Sequence, residues 1–126
     1  MVLPVRAGQR RRTETPNATM TTLASPTLGA TAGLSMWQVE MAAGAQGPRH
    51  VFDSEQVWTV LEGELAAVVA GEDSAVRAGD TVVLPAGAER QLSATTDVRA
   101  LVCGHGDATV RVPGEHASRG TPAWIA

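Results

Sequence analysis

From Leu34 to Met41 apolar and polar side chains alternate, with Trp37, Val39 and Met41 on one face and Gln38 and Glu40 on the other. A period of two predicts a half-buried strand. Gln56 to Leu61 is a β-branched and aromatic run of the same kind. Further strands are predicted over 64–70, 75–77, 81–84, 89–94, 98–103 and 108–112, with a short one inside 13–24 and a strand-like bend over 50–55. Punctuation falls between them: Gly44, Gly47 and Pro48, then Glu62-Gly63, a hairpin-type turn over Gly71-Glu72-Asp73-Ser74, Ala78-Gly79-Asp80, and Pro85-Ala86-Gly87. No stretch of ten or more residues carries a 3.6-residue period. Short strands broken by frequent turns predict an all-β sandwich or barrel. Residues 1–19, with Arg6, Arg10, Arg11 and Arg12, read as a flexible N-terminal arm able to add an edge strand, and 20–126 as a single domain.

Composition narrows the chemistry. At 126 residues the chain is long enough for a core without disulfide staples. A net charge of −3 argues against a nucleic-acid partner, which needs a basic face. No apolar run approaches the ~20 residues of a membrane span, and no signal peptide is read at the start. Cys103 is the single cysteine, so neither an intrachain disulfide nor a CxxC metal motif is available, and a reducing cytoplasm is the expected compartment. The chain has no lysine, which removes Schiff-base chemistry, and no tyrosine. Proton shuttles and imidazole ligands are limited to His50, His105 and His116.

Two glycine-bounded blocks carry a resemblance. Gly44, five residues, His50, then Phe52, Gln56 and, after six residues, Gly63 make the first; Gly79, five residues, Pro85, Gly87, then Arg90 and Ala94 make the second. Residues 44–94 thereby resemble the cupin family, whose first motif places His-x-His and a glutamate between its glycines, and whose second places a histidine and an asparagine after Pro-x-Gly. The resemblance implies a small cupin-type β-barrel, a jelly-roll-like double-sheet sandwich. It also implies metal ligands at positions 50, 52, 56 and 90. Here Phe52 has no donor atom and Arg90 stays cationic, which leaves His50 and Gln56. Such a pair holds a divalent transition metal weakly or not at all; His105 or Glu55 is the supplementary ligand to consider.

Strand alternation then assigns the inner face. His50 and Phe52, Gln56, Trp58 and Val60, and Arg90 and Leu92 point inward, with Trp37 as a further lining residue. The expected cavity is apolar, with His50, Gln56 and Arg90 as its polar groups, which suits a small-molecule ligand. Three activities are open. One is proton-transfer catalysis (isomerisation, cyclisation or elimination), with His50 as acid/base and Arg90 stabilising developing charge. The others are a metal-dependent reaction and ligand binding without catalysis. A buried Arg90 must meet an anion, either Glu55 or Asp53 or a ligand group. Apolar positions Met20, Leu23, Leu28 and Leu34 point to a homodimer.

Overall fold

The computed structural model describes residues 2–126, and the chain is nearly all β. After a short 3-10 turn at Ala7–Gln9, eleven strands follow among the described residues: β1 Arg11–Glu14, β2 Thr19–Ala24, β3 Leu34–Met41, β4 Val51–Phe52, β5 Gln56–Glu62, β6 Glu64–Val69, β7 Glu72–Arg77, β8 Thr81–Leu84, β9 Arg90–Ala94, β10 Val98–His105 and β11 Val110–Arg111. One sheet is ordered β1-β2-β3-β10-β5-β8, and all its pairings are antiparallel. The second has β7-β6-β9 at its centre. Backbone hydrogen bonds from Gly44, Gly47 and His50 to Ala94, Leu92 and Arg90 then dock residues 44–50 on β9, leading into the β4–β11 pair.

Inner-face residues of both sheets make one core: Trp37, Val39 and Met41 from β3, Val60 from β5, Leu65 and Ala67 from β6, Leu92 and Ala94 from β9, and Ala100 and Val102 from β10. Trp37, Val60 and Leu92 of this set are positions that alternation placed inward. Val57 and Leu61 stand on the opposite face and are exposed.

Local chemistry moves some boundaries. The turn read at 71–74 is tighter: Val69 pairs with Glu72, and the two residues between them, Ala70 and Gly71, have φ of 50° and 81°. Two positive φ values make the hairpin loop whose twist matches that of its strands, so β7 starts at once. Residues 11–14, assigned to the flexible arm, pair with Thr19–Thr22 as edge strand β1. Thr15-Pro16-Asn17-Ala18 closes that hairpin, its amides at Asn17 and Ala18 donating to Thr15 Oγ1. Gly63 has φ 86°, and a Cβ there would run into the Asp97 carbonyl oxygen. The motif glycine is thus demanded both by its dihedral and by space.

Candidate functional site

One cavity of about 310 Å³ opens between the sheets. His50, Phe52, Gln56, Trp58, Arg90, Leu92 and Trp37, all named from the sequence, line it together. The hairpin tip 15–18, Met20, Val39, Met41, Gly47, Pro48 and Trp124 complete the wall. Pro16-Asn17 is a turn signal, so the hairpin was readable in principle; that its tip hangs over the cavity was not, because that depends on β1 joining the sheet.

Strand pairing positions the polar groups. His50 and Arg90 lie opposite each other in an antiparallel bridge, His50 N donating to Arg90 O at 3.1 Å and Arg90 N to His50 O at 3.0 Å. Directly opposed residues project to the same side of a sheet. Phe52, two residues beyond His50, shares that side. The Arg90 guanidinium carbon lies 4.4 Å from the centroid of the Phe52 ring, and His50 meets the same ring edge-on at 5.2 Å. On the facing sheet, Gln56 and Trp58 are successive inward residues of β5, and Trp58 Nε1 donates to Gln56 Oε1 at 3.2 Å. Opposite Gln56 on β10 stands Gly104; a Cβ there would sit 3.2 Å from Gln56 Cγ and 3.5 Å from the Trp37 ring.

Electrostatically the site is unbalanced. Arg90 is 1% exposed, and Nε, Nη1 and Nη2 have no hydrogen-bond partner. Among the described residues no carboxylate pairs with it: Asp53 accepts from Thr109 N and Oγ1, and Glu55 is exposed. The two internal partners considered for Arg90 are thus set aside. Stacking on Phe52 returns about 0.5–2 kcal/mol, less than the several kcal/mol that desolvating a charged group costs. Burial pushes the Arg90 pKa down to about 10, which still leaves a cation at neutral pH. Burial, and then the Arg90 charge, push His50 down to about 4, so its imidazole is neutral at pH 7. His50 Nδ1 and Gln56 Nε2 are likewise buried without partners.

The donor set does not fit a divalent cation. Of the two ligands left by the motif, Gln56 offers only a neutral amide oxygen, Oε1, a weak donor to a divalent ion that is also turned toward Trp58. The Arg90 charge faces the same cavity. His105, considered as a supplementary ligand, is exposed at the end of β10, and Glu55 is exposed as well. Among the described residues no group of three His, Cys, Asp or Glu side chains converges.

Comparison with known proteins agrees with this architecture. A family model described as a cupin domain matches residues 37–104, more than half of the chain. The chain belongs to the cupin domain family. A search of curated proteins found no match. Among solved structures it is similar to salicylate 1,2-dioxygenase from Pseudoaminobacter salicylatoxidans, solved as adducts with gentisate, at TM-score 0.72 and 22% identity over 86% of this chain and 32% of that one. It thus spans about a third of that dioxygenase's length. It is also similar to an RmlC-like cupin from Shewanella frigidimarina, at TM-score 0.69 and 20% identity over 79% of this chain and 86% of that one. A conserved Streptococcus pyogenes protein of unknown function gives TM-score 0.62 and 23% identity over 73% and 76% of the two chains. Identities this low establish a shared fold. No helix among the described residues is long and apolar enough to cross a membrane.

Proposed function

We propose that this cupin binds a small organic anion in its cavity, with Arg90 holding the charged group and the surrounding apolar wall taking the body of the ligand. One observation carries this: a buried guanidinium with three unpartnered nitrogens, facing a cavity. A carboxylate can accept two parallel hydrogen bonds from such a group, an arrangement stronger than neutral pairs. The volume lies at the small end of ligand sites, which suits a one-ring acid. Gentisate, present in the dioxygenase structure, is an aromatic acid of this size class. Benzoate is the probe. Isothermal titration at pH 7 is expected to show saturable binding that weakens at least tenfold in Arg90→Met, a change of about 1.4 kcal/mol. Equal affinity in the variant excludes Arg90 as the anion site.

His50 supports a catalytic extension, in which the enzyme is an isomerase, cyclase or lyase acting by proton transfer. It stands opposite Arg90 with Nδ1 free. A neutral imidazole can take a proton from the carbon beside a carbonyl, and the electron pair moves onto the oxygen held by Arg90. Returning the proton to another carbon of the ligand completes an isomerisation. An anion on Arg90 cancels part of the charge that depresses His50 and so raises its basicity when a ligand arrives. Exchange of the C3 protons of phenylpyruvate in D2O, followed by proton NMR, is expected to accelerate with the protein and not with His50→Gln. Equal rates for both restrict the protein to ligand binding.

The homodimer moves to another surface in this proposal. Of the positions that pointed to it, Met20 is covered within the chain, while Leu34 is exposed on the same face of β3 as Met36. Exposed Val83, Val57 and Met36 instead fall, with half-buried Cys103, in one row across β8, β5, β10 and β3. A twofold contact between copies of this row covers it. Sedimentation at micromolar concentration is expected to give a dimer that Val57→Lys dissociates.

A further inference from the structure

Trp58 lines the cavity with its ring, but its N–H acts on a neighbour. An indole nitrogen only donates. Its partner Gln56 Oε1, at 3.2 Å in a buried hydrogen bond, must therefore be the carbonyl end of the carboxamide. Turned over, the amide would set its own NH2 against the indole N–H, donor against donor, with no room for water between them. The orientation is thus dictated by chemistry, and it leaves Gln56 Nε2 buried and unpartnered on the cavity wall. Arg90 is also donor-only. Every unpartnered polar atom that these two residues offer to the cavity is a donor, and their one acceptor, Gln56 Oε1, is turned toward Trp58.

We infer that Trp58 is a positioning residue which, by pinning Gln56, makes the cavity favour ligands that present acceptors to Arg90 and Gln56 and disfavour head groups that turn an N–H toward either. This rests on the anion reading of Arg90 and adds a specificity rule to it. A carboxylate has acceptors on both oxygens. The isosteric primary amide has one acceptor and one NH2, and that NH2 meets a donor at Arg90 and at the pinned Gln56, so His50 Nδ1 is the one group of the three able to accept from it. Leaving a buried donor facing a donor is the strongest form of discrimination a polar site has. Gly104 belongs to the same device, since the space it leaves open is occupied by Gln56 Cγ and the Trp37 ring.

The experiment compares benzoate with benzamide by isothermal titration in the wild type, Trp58→Phe, Gln56→Leu and the double variant. The wild type is expected to favour benzoate. In Trp58→Phe the amide of Gln56 is free to turn and accept, so the benzoate-to-benzamide ratio is expected to fall about fivefold. In the Gln56→Leu background the Trp58→Phe change is expected to leave the ratio unaltered, because the coupling runs through Gln56. A merely structural role for Trp58 lowers both affinities by one factor and leaves the ratio intact, which overturns the inference; so does a ratio change that persists without Gln56. Should Trp58→Phe fail to fold, the indole N–H resonance of Trp58 carries the test. It is expected to shift in Gln56→Leu more than those of the other two tryptophans, and an unmoved resonance overturns the pinning. Benzoate binding abolished by Arg90→Met with no ratio change in Trp58→Phe removes the positioning role alone, whereas no benzoate binding in the wild type removes both.

Discussion

Two concavities among the described residues each contain an arginine. The outer one, about 450 Å³, is lined by Thr19, Glu40, Glu62, Asp97 and Arg99, among others, and is the larger. Arg99 donates to Glu62 at 2.8 Å there, and that hydrogen bond and charge push its pKa up. Asp97 accepts from the Ala43 amide. The inner one is smaller and largely apolar, and its arginine has neither a carboxylate nor a carbonyl beside it. Size therefore ranks the two wrongly. What separates them is whether the polar groups are already satisfied: Arg99 has its counter-ion within the chain, whereas Arg90 has been desolvated without one. An anionic ligand, as proposed above, would supply the partner that the chain does not.

The comparison breaks most readily at Arg90. Arg90→Met keeps length and apolar contact while removing the charge, the lost stacking on Phe52 and the removed desolvation acting in opposite directions. Because the desolvation cost of a buried charge is several kcal/mol and the stacking about 0.5–2 kcal/mol, ligand-free Arg90→Met is expected to be more stable than wild type, by about 1 kcal/mol or more in urea unfolding, while losing benzoate affinity. Arg99→Met is expected to leave stability nearly unchanged, because an exposed ion pair contributes little, and to leave benzoate affinity untouched. A destabilised Arg90→Met means that the guanidinium has an internal role and that the contrast between the two arginines is false.

A pH titration is expected to show the next largest effect. His50 has a folded pKa of about 4, against 6.5 in an unfolded chain. Between these values the unfolded state binds the extra proton, so stability is complete above pH 6.5 and is lost as pH falls toward 4. The full loss is on the order of 3 kcal/mol by the 1.36 kcal/mol-per-unit relation. Carboxylates add their own dependence at lower pH, Asp53 among them, since its bonds to Thr109 hold its pKa below the ordinary value. The difference between wild type and His50→Gln isolates the histidine. Urea midpoints at pH 7 and pH 5 are expected to fall further in the wild type than in the variant; parallel falls exclude a buried neutral His50. Saturating benzoate is expected to shrink the wild-type slope, because an anion on Arg90 lifts the His50 pKa toward the unfolded value.

Much of this was legible in the chain, for a definite reason. Where one face of a strand is buried, period two is enforced residue by residue, so Trp37, Val39 and Met41, and Gln56, Trp58 and Val60, could be assigned inward from spacing alone. The turn glycines carried the family, and with it the fact that His50, Phe52, Gln56 and Arg90 meet in space. Three features were not accessible. Spacing left open whether Arg90 meets Glu55, Asp53 or a ligand group, because it does not show that Asp53 turns outward to tie β4 to the loop before β11. The cavity mouth is built from residues 15–18 and Trp124, far apart in sequence and brought together by bonds such as Thr22 Oγ1 to Trp124 O at 2.6 Å and Ser25 Oγ and Arg11 Nη2 to Ala126 O. The bond between Gln56 and Trp58 depends on rotamers, which no periodicity encodes.

The smallest expected effect concerns the space around Gln56. β10 turns Val98, Ala100, Val102 and Gly104 inward, and at the cavity end its side chain shrinks to nothing. A methyl group at 104 arrives 3.2 Å from Gln56 Cγ, tighter than ordinary carbon contact, and 3.5 Å from the Trp37 ring, which is ordinary contact. Gln56 must give way, while Trp37 can stay. Gly104 has no positive φ, so Gly104→Ala brings no dihedral penalty and even restricts the unfolded chain in its favour, by about 0.4–1 kcal/mol. Overpacking costs about 1–3 kcal/mol, so the net destabilisation is small, about 1 kcal/mol. Because the displaced atom belongs to the residue that presents the second donor, benzoate affinity is expected to fall a few-fold, less than the tenfold or more expected for Arg90→Met. Calorimetric titration beside urea unfolding checks both numbers. If affinity is unchanged while stability falls, the methyl is absorbed by Trp37, and Gly104 serves packing alone.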